Sequence, residues 1–191
     1  MMLVFRLFSA ISVLCLVTSY PLISWFTANK IVNAQSDISE DCLSTVKDGD
    51  CGFFECFEKR LPCGEEGYAL SYGKKYCNKL KENSHLFTSQ GQEFIRKMAI
   101  CQIERSLSAY NSSFLDCNQH YANSFRNMGL CFVPSGFCHI VIPNLVAVAS
   151  SLDPSDFINY RLVTEVFAAG RNCPVDLTSG IVKEYMKYKR R

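Results

Sequence analysis

Residues 42–77, CLSTVKDGDCGFFECFEKRLPCGEEGYALSYGKKYC, place five cysteines within 36 positions, interleaved with the aromatics Phe53, Phe54, Phe57, Tyr68, Tyr72 and Tyr76. Five more follow: Cys101, Cys117, Cys131, Cys138 and Cys173. Cysteines at this density are cross-links in an oxidising compartment and metal ligands or nucleophiles in a reducing one, so the N-terminus decides how they are read.

That N-terminus reads as an export signal. It has a short start with Arg6, an apolar run from Leu7 to Val17, and Val32-Asn33-Ala34, whose first and third positions suit a signal peptidase. The expected division is a signal peptide over 1–34 and one helical domain over 35–191. An uncleaved anchor spanning Leu7 to Phe26 is the rival, weakened by Pro21 and several Ser and Thr residues. Loss of 1–34 removes Cys15 and leaves an even ten cysteines, Cys42, Cys51, Cys56, Cys63, Cys77, Cys101, Cys117, Cys131, Cys138 and Cys173. Five intrachain disulfides are expected, with connectivity open at this point because parity does not fix pairing. The same cut removes Arg6 and Lys30 and no acid, leaving 18 basic against 18 acidic side chains. A neutral chain lacks the electrostatic footprint of a nucleic-acid binder or of a protein held on anionic lipid by charge.

Periodicity predicts helices throughout and no strands. A short helix capped at Asp37 or Ser39 runs to Lys47 and ends at the Asp48-Gly49-Asp50 turn. A second spans Cys51 to Arg60, with Phe53, Phe54 and Phe57 buried against nearby disulfides, and a third runs from Glu65 to Lys81 with Tyr68, Tyr72 and Tyr76 along one side. Gly73 weakens the third by about 1 kcal/mol of propensity. Thr88 or Ser89 caps a fourth, with Phe94, Ile95, Met98 and Cys101 inward. A fifth is expected from Phe114 to Met128, with Gly129 past its end. Leu130 to Leu152 is expected to form a buried core helix in two parts, because Pro134, Pro143 and His139 suit a membrane poorly. Asp153-Pro154 starts another helix that Gly170 ends, and a last one begins at Thr178. The expected fold class is therefore all-α, a disulfide-braced bundle of about six to eight short helices.

A search for chemistry finds little. There is no Cys-x-x-Cys and no histidine pair on one helical face, since His85, His120 and His139 are far apart. No Gly-x-Ser-x-Gly occurs, and an even cysteine count leaves no thiol nucleophile. Cys138-His139 lacks the adjacent cysteine and the aspartate of a small extracellular phospholipase, and Glu65-Glu66 and Asp48-Gly49-Asp50 lack EF-hand spacing. No catalytic site, metal or cofactor is expected. Asn111-Ser112-Ser113 is the one N-glycosylation sequon, at a helix boundary open to solvent.

CGFFECFE at 51–58, TSQGQEFIRKMAIC at 88–101, DFINYRLVTEVF at 156–167 and the order and spacing of the ten cysteines together resemble the stanniocalcin family, over about residues 42–186. The resemblance implies a secreted glycoprotein hormone associated with calcium and phosphate handling. It implies that Cys42 pairs with Cys56, Cys51 with Cys77, Cys63 with Cys117, Cys101 with Cys131, and Cys138 with Cys173. Family members dimerise through a further cysteine in a longer C-terminal region, for which this chain has no counterpart, so any homodimer is expected to be non-covalent. The family's early sequon is absent near Lys59 to Leu61, and Asn111 stands elsewhere. The expected partner is an extracellular receptor. The alternative, also from the resemblance, is non-covalent regulation of a pappalysin-type extracellular metalloprotease.

Overall fold

The computed structural model describes residues 29–173, so residues 1–28 of the expected leader and the expected last helix from Thr178 lie outside the described residues. Eight α-helices and one short antiparallel ribbon make up the described fold.

Strand β1 (Ile31–Asn33) leads into α1 (Glu40–Ser44), which starts where the Ser39 side chain accepts a hydrogen bond from the Cys42 amide. Helix α2 (Gly52–Arg60) is begun by Asp50, whose Oδ1 accepts from the Gly52 amide at 3.0 Å. A π-helical turn (Ala69–Lys74) runs directly into α3 (Lys75–Glu82) and a 3-10 turn (Asn83–Leu86). Helix α4 (Ser89–Tyr110), the longest, is capped by the Thr88 side chain. Strand β2 (Phe114–Asp116) precedes α5 (Cys117–Ser135), then come α6 (Phe137–Ile140), α7 (Leu145–Ser151), a 3-10 turn (Pro154–Ile158) and α8 (Tyr160–Arg171).

Helices α4 and α5 pack along one another and form the spine, with α8 laid on α5. One core gathers Phe53, Phe54, Phe57, Leu61, Tyr68, Ile103, Tyr110 and Phe125 around α2, the π-turn and the spine. A second gathers Phe87, Phe94, Ile95, Met98, Phe132, Ile140, Ala147 and Ala169 at the other end. The three phenylalanines of α2 are buried as their spacing predicts, each contributing about 1.5–3 kcal/mol on transfer from water. Among the described residues no helix is long and apolar enough to cross a membrane.

Several expectations are corrected. The helix expected from Phe114 begins at Cys117, because the Asp116 carboxylate accepts from the amides of Asn118 and Gln119, both at 3.0 Å, and so sets the cap there. Residues 114–116 are instead a strand paired with 31–33, a ribbon too short to show any alternation in sequence. The compact unit that contains this ribbon begins at Ile31. Gly129 does not end α5. A Cβ there would fall 2.0 Å from Glu165 Oε2 and 3.1 Å from Glu165 Cβ, so the glycine marks where α8 crosses α5.

The third expected helix starts late and opens with the π-turn. Gly73 lies against the Phe54 ring, where a Cβ would meet Cδ1 at 2.5 Å, so bare backbone packs on an aromatic from α2. Asp153-Pro154 begins only a 3-10 turn, and α8 restarts at Asn159, whose side chain accepts from the Arg161 amide at 3.1 Å. Asp153 is drawn away from capping by Lys75 and Lys79. Finally, the Leu130–Leu152 stretch is not wholly buried: Val146 is 80% and Leu145 60% exposed, while Asn144 between the turn and α7 is buried. Asn144 Oδ1 accepts from the Thr88 amide at 2.7 Å, and its Nδ2 donates to the Ile140 carbonyl at 2.8 Å. Turning that amide inward turns Leu145 and Val146 outward.

Candidate functional site

The ten cysteines form five bridges: Cys42 with Cys56, Cys51 with Cys77, Cys63 with Cys117, Cys101 with Cys131, and Cys138 with Cys173. These are the pairs that the resemblance implies. The first ties α1 to α2, the second the start of α2 to α3, and the third the loop after α2 to the first residue of α5. The fourth joins the two spine helices, and the fifth joins α6 to the chain leaving α8. Each contributes about 2–4 kcal/mol in a domain of this kind, by restricting the unfolded chain.

Asn111 caps the C-terminus of α4 on an exposed turn. The single Ser112 hydroxyl proton has two acceptors within reach, the carbonyls of Ala109 at 2.7 Å and Phe114 at 2.8 Å from Oγ. Below it Arg60, only 6% exposed, spans three main-chain carbonyls: Nε donates to Tyr110 at 2.9 Å, one terminal nitrogen to Ser112 at 3.1 Å, and the other to Ser36. Sequence reasoning missed this arginine, since Lys59-Arg60 at a helix end reads as a solvated pair.

A cleft of about 460 Å³ opens where the π-turn, α5 and the start of α8 meet, lined by Tyr72, Tyr121, Ser155, Asp156, Asn159, Tyr160 and Arg161. Tyr72 is its inner wall, stacked on Tyr68 with centroids 6.2 Å apart and edge-on to Phe125 at 4.7 Å. The Tyr72 hydroxyl donates to Asp156 Oδ1 at 2.9 Å and accepts from Asn159 Nδ2. Asp156 is 5% exposed, and Lys75 Nζ stands 3.5 Å from its other oxygen. Lys75 and Lys79 also pair with Asp153, and both ammonium groups lie over the Tyr76 ring. At the mouth, the Arg161 guanidinium sits 5.1 Å over the Tyr160 ring.

These contacts set the protonation states. Burial, with the Asp156 hydrogen bond second, pushes the Tyr72 phenol above its ordinary value, and burial does the same to Tyr68. Hydrogen bonding to Asp153 raises Lys75, and hydrogen bonds from Lys75 and Lys79 hold Asp153 below the usual carboxylate range. The inner phenols therefore stay neutral, and the cleft presents aromatic faces with fixed charges at its edge, an arrangement suited to recognition.

The histidines do not converge. His85 and His139 are exposed, and His120 is buried against Phe57 with ring centroids 4.8 Å apart. Among the described residues no group of three or more His, Cys, Asp or Glu is placed to hold a metal ion. The tyrosine stripe of the inner wall was legible at i, i+4 and i+8, whereas its partner Asp156 lies 84 residues away with no local signal. Comparison of the chain with protein-family models, with curated proteins and with solved structures finds no match in any of the three.

Proposed function

We propose that this chain is a secreted, stanniocalcin-like signalling glycoprotein that acts by binding an extracellular partner and influences calcium or phosphate transport. The observation that carries the reading is the cystine frame: five bridges that stitch successive helices and join the same cysteines as the resemblance implies. A shape fixed in this way outside the cell, with a cleft suited to recognition, supports a ligand better than a catalyst. The sequon at Asn111 stands on an exposed turn, where a glycan would meet solvent. The test is to apply the purified secreted chain to transporting epithelial cells and measure binding together with calcium and phosphate flux. Saturable binding with altered flux supports the reading; neither, across a wide dose range, removes it.

The second reading is regulation of a pappalysin-type protease. All ten cysteines from Cys42 to Cys173 are engaged within the chain, so such a complex would be non-covalent. Mixing the purified proteins and measuring cleavage separates the two readings. A complex that survives denaturation without reductant would contradict its non-covalent character.

A further inference from the structure

The Val32-Asn33-Ala34 pattern invites an export cut after Ala34, yet the residues before that bond are built into the fold. Ile31 stands opposite Asp116, Val32 opposite Leu115 and Asn33 opposite Phe114. Beyond the strand, the Ala34 amide donates to the Ser113 carbonyl at 2.8 Å and the Gln35 amide to the Arg60 carbonyl at 2.8 Å. The Ser36 carbonyl accepts from the Arg60 guanidinium, and Val32 and Ala34 pack against the first core.

A cut after Ala34 would remove β1, leave β2 unpaired and strip two side chains from the core. It would also turn the Gln35 amide, which donates to the Arg60 carbonyl, into a chain terminus. The cut would therefore loosen the end of the chain whose Ser36 carbonyl the Arg60 guanidinium holds.

We propose that the processed protein retains Ile31–Asn33 as a structural strand, and that the export cut falls between Val17, where the apolar run ends, and Ile31. This rests on the secreted reading above, but not on hormone activity. The small residues available upstream include Ser19, two beyond Val17, and Ala28.

The experiment is N-terminal peptide mapping of the full chain secreted from eukaryotic cells, alongside the Val32→Asp variant. A first residue anywhere from 18 to 31 supports the proposal. A first residue downstream of Ile31 overturns it, and a cell-retained chain with residue 1 intact overturns it together with the export reading. If the strand is retained, Val32→Asp lowers the Tm of secreted material by about 4–8 °C, because a carboxylate replaces a half-buried apolar side chain. If it is removed, the secreted variant melts with the parent, whatever the change does to yield.

Discussion

Arg60 Nε donates to the carbonyl of Tyr110 at 2.9 Å, joining the end of α2 to the end of α4 across 50 residues of chain. The carbonyl end of α4 carries the negative pole of the helix, so a cation is favoured there. All three acceptors of the guanidinium are main-chain oxygens, from Tyr110, Ser112 and Ser36. Arg60→Ala is expected to lower the unfolding free energy by about 3 kcal/mol, the scale of losing buried hydrogen bonds to a charged group. Arg60→Lys should recover little, because an ammonium cannot reproduce the planar fork. Urea denaturation checks both, and a Lys variant as stable as the parent would show that charge alone suffices.

Gly73 and Phe54 are in closer contact than any side chain at 73 would allow. Gly73→Ala gains helix propensity but drives a methyl into a ring that is 2% exposed, and overpacking of this kind costs about 1–3 kcal/mol. If the ring is the obstacle, Phe54→Leu should relieve part of that cost, and the two changes should couple by more than about 0.5 kcal/mol. Simple additivity in thermal melts of the four proteins would mean that the clash is absorbed elsewhere.

Those two residues also show how far the sequence could be read. The helical character of the chain and the burial of Phe53, Phe54 and Phe57 are carried by short-range periodicity, which the local backbone obeys. Glycines were misread for one reason. A missing side chain signals a helix end or a weak point locally, whereas Gly73 and Gly129 are positions where another element approaches the backbone, and that element is distant in sequence. The β-ribbon was hidden because three-residue strands have no period. In the cleft, the Tyr68, Tyr72 and Tyr76 stripe was visible, but the ties from Tyr72 to Asp156 and Asn159 depend on the crossing of α5 and α8. Exposure of Leu145 and Val146 was invisible because composition alone places them inside; a buried amide at Asn144 decides otherwise.

The cleft yields a contrast in magnitudes. Tyr72→Phe removes the hydroxyl that serves the buried Asp156, whose other oxygen has the Lys75 ammonium at 3.5 Å, and should cost about 1–3 kcal/mol. Lys79→Met, by contrast, breaks a pair in which both side chains are about a third exposed, and solvent screening should hold its loss well below that of Tyr72→Phe. Added salt should shrink the Lys79 effect and leave the Tyr72 effect nearly unchanged. Thermal melts at low and high ionic strength decide this, and equal losses would place Asp156 in contact with water.

His120 carries the acid sensitivity of the first core. Its ring is stacked on Phe57, lies 6.2 Å from the neutral phenol of Tyr68, and has Ser124 Oγ at 3.4 Å from Nε2. Burial pulls its pKa down to about 4 from 6.5. Between those two values the unfolded chain binds a proton that the folded chain does not, so stability falls as pH falls. The contribution is whole above pH 6.5, declines by up to about 1.4 kcal/mol per unit below it, and totals about 3 kcal/mol once the folded state also protonates near pH 4. His120→Phe keeps an aromatic ring against Phe57 and has nothing to titrate. Urea unfolding at pH 7, 5.5 and 4.5 should therefore show the variant gaining on the parent at each step down, because subtracting one curve from the other cancels the carboxylates common to both. A constant difference between the two proteins across that range would mean that water reaches the imidazole in the folded chain.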